Sequence, residues 1–213
     1  MKLYWHRRTL QPRPNPALSA AFSAAKQDDS RVVPVFVLDD AILSRANGLG
    51  VAFMLGSLRN LRDWYRDHDG DIVIQHGAPT DVLVRLGRTI GADQVVWNDD
   101  QSQLARERDR AVQRALTRAG LAYTSVSRKQ QSATPLPSNP AGNLANPDAL
   151  GIETKPVPRL SDLGQDEYDT APLTVGTDSA RKHLRALSNG TTYRQSDDTG
   201  QDVTRSRMAL DRA

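Results

Sequence analysis

Four clusters in this 213-residue sequence carry side chains able to do chemistry. His6-Arg7-Arg8 sets an imidazole beside two guanidiniums, which could hold an anionic ligand or close a structural ion pair with Asp39. Asp39-Asp40 offers two carboxylates in succession. His76-Gly77 could present a catalytic histidine, but glycine permits a tight turn and the turn is the plainer reading. Asn98-Asp99-Asp100 could grip a ribose or a magnesium ion, yet Asn and Asp are also ordinary turn and cap residues. Further on, Arg106, Arg108, Arg110, Arg114 and Arg118 stripe one segment; with Glu107 and Asp109 interleaved, they read as a solvated face.

Several chemistries are excluded. With no cysteine there is no disulfide framework, thiolate metal site or cysteine nucleophile. His6, His68, His76 and His183 are too scattered to make a metal site. No phosphate-loop or dinucleotide glycine signature follows the first strand. A net charge of +3, from 28 cations against 25 anions, does not by itself argue for nucleic-acid binding. The N-terminus lacks the apolar core of a signal peptide, and no run approaches the ~18 apolar residues of a membrane span, so a cytoplasmic protein is the default expectation. Trp5, Trp64 and Trp97 read as packing rather than as an electron relay.

The clusters gain meaning from the elements that must hold them. Leu3-Tyr4-Trp5-His6, Val32–Leu38, Asp71–His76, Gln94–Trp97 and Leu121–Val126 read as strands. Between them lie helices: Asn15–Gln27, with Asn15 as N-cap and Pro16 in the first turn; Val51–His68, with Val51, Met54, Leu55, Leu58, Leu61 and Tyr65 at helical spacing; a helix after Pro79 carrying Val82, Leu83 and Leu86; and Leu104–Arg118. Strands alternating with helices predict an α/β fold with a doubly wound, five-stranded parallel sheet. Ligands of such sheets bind outside the carboxyl ends of the strands. All four clusters fall at those ends.

The pattern predicts an α/β domain over residues 1–128, an irregular linker over 129–175 rich in Pro, Ser, Asn and Gly, and a polar, poorly ordered stub over 176–213. One short helix is expected near Asp178–Leu187, and the last 25 residues are expected to fray.

Order and spacing then point to a family. Tyr4-Trp5-His6-Arg7-Arg8-Thr9-Leu10 followed by Asn15-Pro16-Ala17-Leu18 resembles the opening of DNA photolyases and cryptochromes. Val33–Asp39 is similar to the family's second strand and Val51–Leu58 to its long second helix. His76-Gly77-Ala78-Pro79, then Val96–Asp100 with Arg108-Asp109, match the elements that follow. The resemblance covers roughly residues 1 to 128. Pro158–Gly164 and Gly176–Arg181 look like the linker and first helix before the family's flavin domain.

The resemblance implies a domain that holds a light-harvesting antenna, a deazaflavin or a folate. Arg7, Arg8, Phe36, Asp39, Phe53 and Asn98 would line its pocket. It also implies FAD in a helical domain and damaged DNA as partner of intact relatives. Tyr193 lies near the family's FAD-contacting tyrosine, and Thr204-Arg205-Ser206 echoes its FAD-phosphate element. The sequence departs from the pattern at Thr9, Gln11, Gly50, Leu104 and Ala105. The expectation is thus a photolyase-family chain limited to the antenna domain, with too little apolar material in its tail to enclose a flavin. The alternative is a nucleotide- or effector-binding module of the universal-stress type that shares only the architecture.

Overall fold

Residues 1–127 and 140–164 are described by the computed structural model, and all lie in one unit of the chain, Met1–Gly176. The strands are β1 (Lys2–His6), β2 (Val32–Leu38), β3 (Val73–His76), β4 (Gln94–Asn98) and β5 (Ala122–Val126). They form one parallel sheet in the order β3-β2-β1-β4-β5. The chain winds outward from β1 through β2 to β3, then returns to the other side of β1 for β4 and β5. The winding reverses between β1 and β4, the position at whose carboxyl edge open α/β sheets commonly take their ligands.

The helices are α1 (Pro16–Gln27), α2 (Asp40–Leu43), α3 (Gly48–Arg66), α4 (Pro79–Thr89) and α5 (Gln103–Arg118). One core joins α1 and α3 to Tyr4, Val32, Phe36, Ile74 and Val96 on one face of the sheet. The other joins α4 and α5 to Leu3, Trp5, Val33, Val35, Val95 and Trp97 on the opposite face. Alternate residues of β1 to β4 feed opposite cores, and β1 and β2 are buried along their whole length.

Local chemistry sets the element ends. Asn15 Oδ1 accepts from Leu18 N at 3.2 Å, and Pro16 opens α1 behind that cap. Asn47 Oδ1 accepts from Gly50 N at 2.7 Å, so α3 begins at Gly48 rather than at the expected Val51. The one-turn α2, absent from the sequence reading, forms because Asp39 Oδ1 accepts from Ala41 N at 3.0 Å. It is too short to show helical periodicity.

Pro34 stands inside the second strand of a five-stranded sheet, where a missing N–H would normally cost a ladder bond. Val32 directs its N–H to Asn143 O and its C=O to Ala145 N. Alternation aims the Pro34 nitrogen to the same side, into the gap between that segment and the first β3 pair at Val73. No bond is lost there.

Residues 140–164 are irregular in backbone apart from 3-10 turns at Asp148–Leu150 and Ser161–Leu163. They are nonetheless packed. Leu144 pairs with Val32, and Leu144, Ala145 and Ile152 are buried in the two cores. A Cβ on Gly70 would sit 2.9 Å from the Leu144 Cβ, so glycine there lets this strap seat. Composition alone suggested a linker because the few apolar residues that anchor the strap are spread among prolines and glycines. The helix expected near residues 178–187 and the tail reading both lie outside the described residues.

Candidate functional site

Two networks meet at the carboxyl edge, one on each face of the sheet. On the α1/α3 face the network is neutral. Tyr4 Oη donates to Asn15 Oδ1 at 2.8 Å, and Asn98 Nδ2 donates to Tyr4 Oη at 3.0 Å and to Asn15 Oδ1 at 2.8 Å. Asn98 Oδ1 accepts from Ala17 N at 3.1 Å. Beside it, His6 Nε2 lies 2.7 Å from Tyr65 Oη and His6 Nδ1 lies 3.1 Å from Thr9 O. A carbonyl can only accept, so Nδ1 carries the proton and Nε2 accepts from the tyrosine hydroxyl. Burial pushes the His6 pKa down to about 4 and raises both tyrosines above their ordinary range, so all three are neutral at pH 7.

On the α4/α5 face the network is charged. Arg7 continues β1 on the side of Trp5, and its side chain is only 5% exposed. Its Nη1 lies 2.8 Å from the Asp109 carboxylate and 3.3 Å from Asn98 O. Asp109, on the inner face of α5, also accepts from Trp97 Nε1 at 3.4 Å. Arg108, its neighbour on the helix, turns inward. The guanidinium carbons of Arg7 and Arg108 lie 4.9 and 5.2 Å from the Trp5 ring centroid, a cation–π platform. Burial, and then the nearby Arg7 charge, lower the Arg108 pKa, opposed by Asp109, Asp39 and Asp100. Asp100 is held below its ordinary value chiefly by its hydrogen bond from Ser102 N, with smaller contributions from Arg8 and Arg7.

This second network is unsaturated. Nε and Nη2 of Arg7 and Nε of Arg108 are buried without a hydrogen-bond partner. Buried guanidinium donors are normally paired. Their spare donors sit beside the β1/β4 reversal, where an open α/β sheet takes its ligand.

The expected site residues separate. Arg7, Asp39 and Asn98 come together at this edge, and Arg8 stands above it, 86% exposed and 3.9 Å from Asp100. The ion-pair partner of Arg7 is Asp109, not Asp39; Asp39 instead caps α2. Phe36 is buried in the α1/α3 core and Phe53 is exposed on α3. Asn98 has both amide hydrogens and its carbonyl oxygen engaged within the protein. Gly77 adopts φ +133° and donates to Leu38 O, so His76-Gly77 is a turn; His76 Nε2 meets Asp40 Oδ1 at 2.6 Å in the open. Tyr193, Thr204, Arg205 and Ser206 lie outside the described residues. The sequence reading missed the inward turn of Arg108 and Asp109, which are 101 and 102 residues from Arg7. The signal available was helical phase: Asp109 lines up with Ala105, Val112 and Leu116, all buried.

A shallow pocket of about 200 Å³ between α2, α3 and Leu163 opens beside this edge, lined by Asp40, Leu43, Ser44 and Val51. A larger one, about 370 Å³, lies at the opposite, amino edge of the sheet between Met1, Arg31 and the strap. The carboxyl edge, where guanidinium donors are buried without partners, carries the stronger chemical argument. Among the described residues no group of three potential ligands could hold a metal ion, and no helix is long and apolar enough to cross a membrane.

An all-parallel sheet wound both ways from its central strand defines an open, doubly wound α/β domain. Sequence comparison narrows it: the DNA photolyase family model matches residues 2–131, and the chain belongs to that family. It is 35% identical to a deoxyribodipyrimidine photo-lyase of Halobacterium salinarum over 92% of this chain and 48% of that protein. It is 30% identical to an uncharacterized 31.6 kDa protein of a Synechococcus species, over 91% of this chain and 76% of that one. In structure it is similar to an archaeal photolyase from Sulfolobus tokodaii with two FAD molecules, at TM-score 0.66 and 20% identity, covering 92% of this chain and 46% of that one. A bacterial class III photolyase from Agrobacterium tumefaciens gives TM-score 0.66 and 21% identity over 89% of this chain and 44% of that one. The chain thus spans about half the length of the halobacterial photolyase.

Proposed function

We propose that this chain acts as the light-harvesting part of a photolyase-type system, binding a flavin-class antenna chromophore at the carboxyl edge of its sheet. The observation that carries this reading is the buried Arg7 guanidinium beside the half-buried Arg108, with Nε and Nη2 of Arg7 and Nε of Arg108 unpaired, at the winding reversal. Their spare donors fit the anionic part of such a chromophore, whether phosphate or ionised ring. Arg8, exposed above them, adds a third positive charge. Leu49 and Phe53, one turn apart and exposed on α3, supply apolar area for a planar ring. When bound, the chromophore would absorb light and pass excitation to a catalytic flavin.

The Sulfolobus photolyase, whose two FAD molecules imply a novel light-harvesting cofactor, makes FAD the first ligand to try; a deazaflavin and a folate are the others. Repair of pyrimidine dimers, with FAD and damaged DNA as partners, belongs to the same proposal for the protein system as a whole. Its expected flavin contacts, Tyr193 and Thr204-Arg205-Ser206, lie outside the described residues. The universal-stress reading has no observation in its favour.

The test is titration of the purified chain with FAD, a deazaflavin, methenyltetrahydrofolate and ATP, read by absorbance shift and fluorescence quenching. Saturable binding of one of the first three is expected, weakened by about tenfold, or ~1.4 kcal/mol, in Phe53→Ala/Arg8→Ala. Binding of ATP alone, or of none, overturns the reading.

A further inference from the structure

The stripe of arginines on α5 changes character once its inward and outward residues are told apart. Asp109 is buried against Arg7, and Arg108 turns in over Trp5. Of the two acids that interleave the stripe in sequence, only Glu107 remains exposed, hydrogen-bonded by Gln103 at 3.1 Å. What remains outside is Arg106, Arg110, Arg114 and Arg118, each exposed and each four residues from the next. Arg106 bonds only Gln101, and among the described residues Arg110, Arg114 and Arg118 have neither an ion-pair nor a hydrogen-bond partner. The neighbouring α4 on the same face of the sheet adds exposed Arg85 and Arg88 against a single acid, Asp81.

This arrangement departs from an ordinary solvated helix. On α3 the exposed charges alternate in sign, with Arg59 and Arg66 beside Asp63 and Asp67. Such mixing supports helices and limits self-repulsion. A row of like charges at four-residue spacing costs stability through mutual repulsion. The α5 row spans about 18 Å and turns by about 40° per step, so it forms a slowly curving ridge. Over that length one strand of a duplex presents about five phosphates, at ~3.4 Å of axis each. Arginine suits that partner because its planar fork matches phosphate oxygens.

We propose that the Arg106–Arg110–Arg114–Arg118 ridge docks the phosphate backbone of intact duplex nucleic acid, independently of base sequence and of any lesion. The ridge runs along the outer face of the domain, so this contact is separate from the carboxyl-edge site and does not rest on the chromophore reading. It supplies a sequence-neutral electrostatic hold of the kind that dominates non-specific binding.

The experiment is fluorescence anisotropy of an undamaged, end-labelled duplex with the full chain, in the dark, over a salt series. The logarithm of the affinity should fall linearly with the logarithm of salt, with a slope of about −3 to −4 for four neutralised phosphates. Arg110→Ala/Arg114→Ala should cut that slope by about two and weaken binding at low salt at least tenfold. Arg31→Ala/Arg45→Ala removes the same charge from exposed positions off the ridge and should leave the slope unchanged. Thermal melts of both variants, expected to fall no lower than the parent's, show that the fold is intact. Absence of duplex binding at low salt overturns the proposal. So does an equal loss in the control variant, which would mean diffuse attraction, or tighter binding of polyglutamate than of duplex at matched charge, which would mean an acidic protein partner.

Discussion

The two networks at the carboxyl edge are a few ångströms apart in the sheet and built on opposite plans. The α1/α3 network of Tyr4, Asn15, Asn98, His6 and Tyr65 is neutral, and its donors meet acceptors within the fold. The α4/α5 network of Arg7, Arg108 and Asp109 is charged, and three of its buried donors meet nothing. A saturated network can only hold structure. An unsaturated one retains capacity for a ligand, and it retains it where the winding of the sheet reverses. Asn98 links the two: its side chain belongs to the neutral set and its carbonyl accepts from Arg7. The difference teaches that two polar clusters at neighbouring strand ends can differ in whether their hydrogen bonding is spent, and the ligand proposal rests on the unspent one.

That contrast can be broken most forcefully at Asp109. Asp109→Ala leaves the Arg7 guanidinium buried without its anion, and should destabilise the chain by about 3–5 kcal/mol in denaturant titrations. Asp109→Asn, which keeps the shape but not the charge, should fall between that variant and the parent.

The neutral network should show itself through pH. His6 binds a proton less readily in the fold, at about pH 4, than in the unfolded chain, near 6.5. Its contribution is therefore fully present above pH 6.5 and lost as pH falls from there toward 4, by up to ~3 kcal/mol. Stability measured against pH should drop across that window in the parent, and His6→Phe should flatten the drop. A parent curve that is flat between pH 6.5 and 4 would contradict the neutral assignment.

Tyr65→Phe removes one hydroxyl and leaves His6 Nε2 buried without a donor. The expected loss is about 1–3 kcal/mol, with the fold retained by circular dichroism. The smallest effect belongs to the exposed part of the charged set. Arg8→Ala, which breaks a pair 3.9 Å long at an exposed side chain, should change stability by less than about 0.5 kcal/mol. A large loss there would mean that the charged edge is held together by its rim, and the division between buried and exposed arginines would fail.

The strands and long helices were legible because each repeats a simple period. β2 is apolar on consecutive residues, as a strand covered on both faces must be, and α3 repeats Val51, Leu55, Leu58, Leu61 and Tyr65. The caps Asn15 and Asn47 fix where helices start, and only the first was read. The candidate site proposed above was legible in part. That ligands approach the ends of these strands follows from the winding alone, and Arg7 was picked out there. That Arg7 pairs with Asp109 was not legible, because two of the three acids nearest in type, Asp39 and Asp100, stand at equally plausible strand ends.

By itself the sequence determined a parallel sheet wound in both directions and the family it belongs to, because periodicity and motif order survive in one dimension. Only the tertiary structure decided which arginines are buried and which are displayed. Helical phase, set by packing against Trp5 and Trp97, turns Arg108 and Asp109 inward and leaves Arg106, Arg110, Arg114 and Arg118 facing water. It also decided that residues 143–145 complete the sheet beside Val32, since that contact depends on the space Gly70 leaves for Leu144. Contacts between residues some hundred positions apart carry no periodic trace, so they exist for a reader only once the chain has closed on itself.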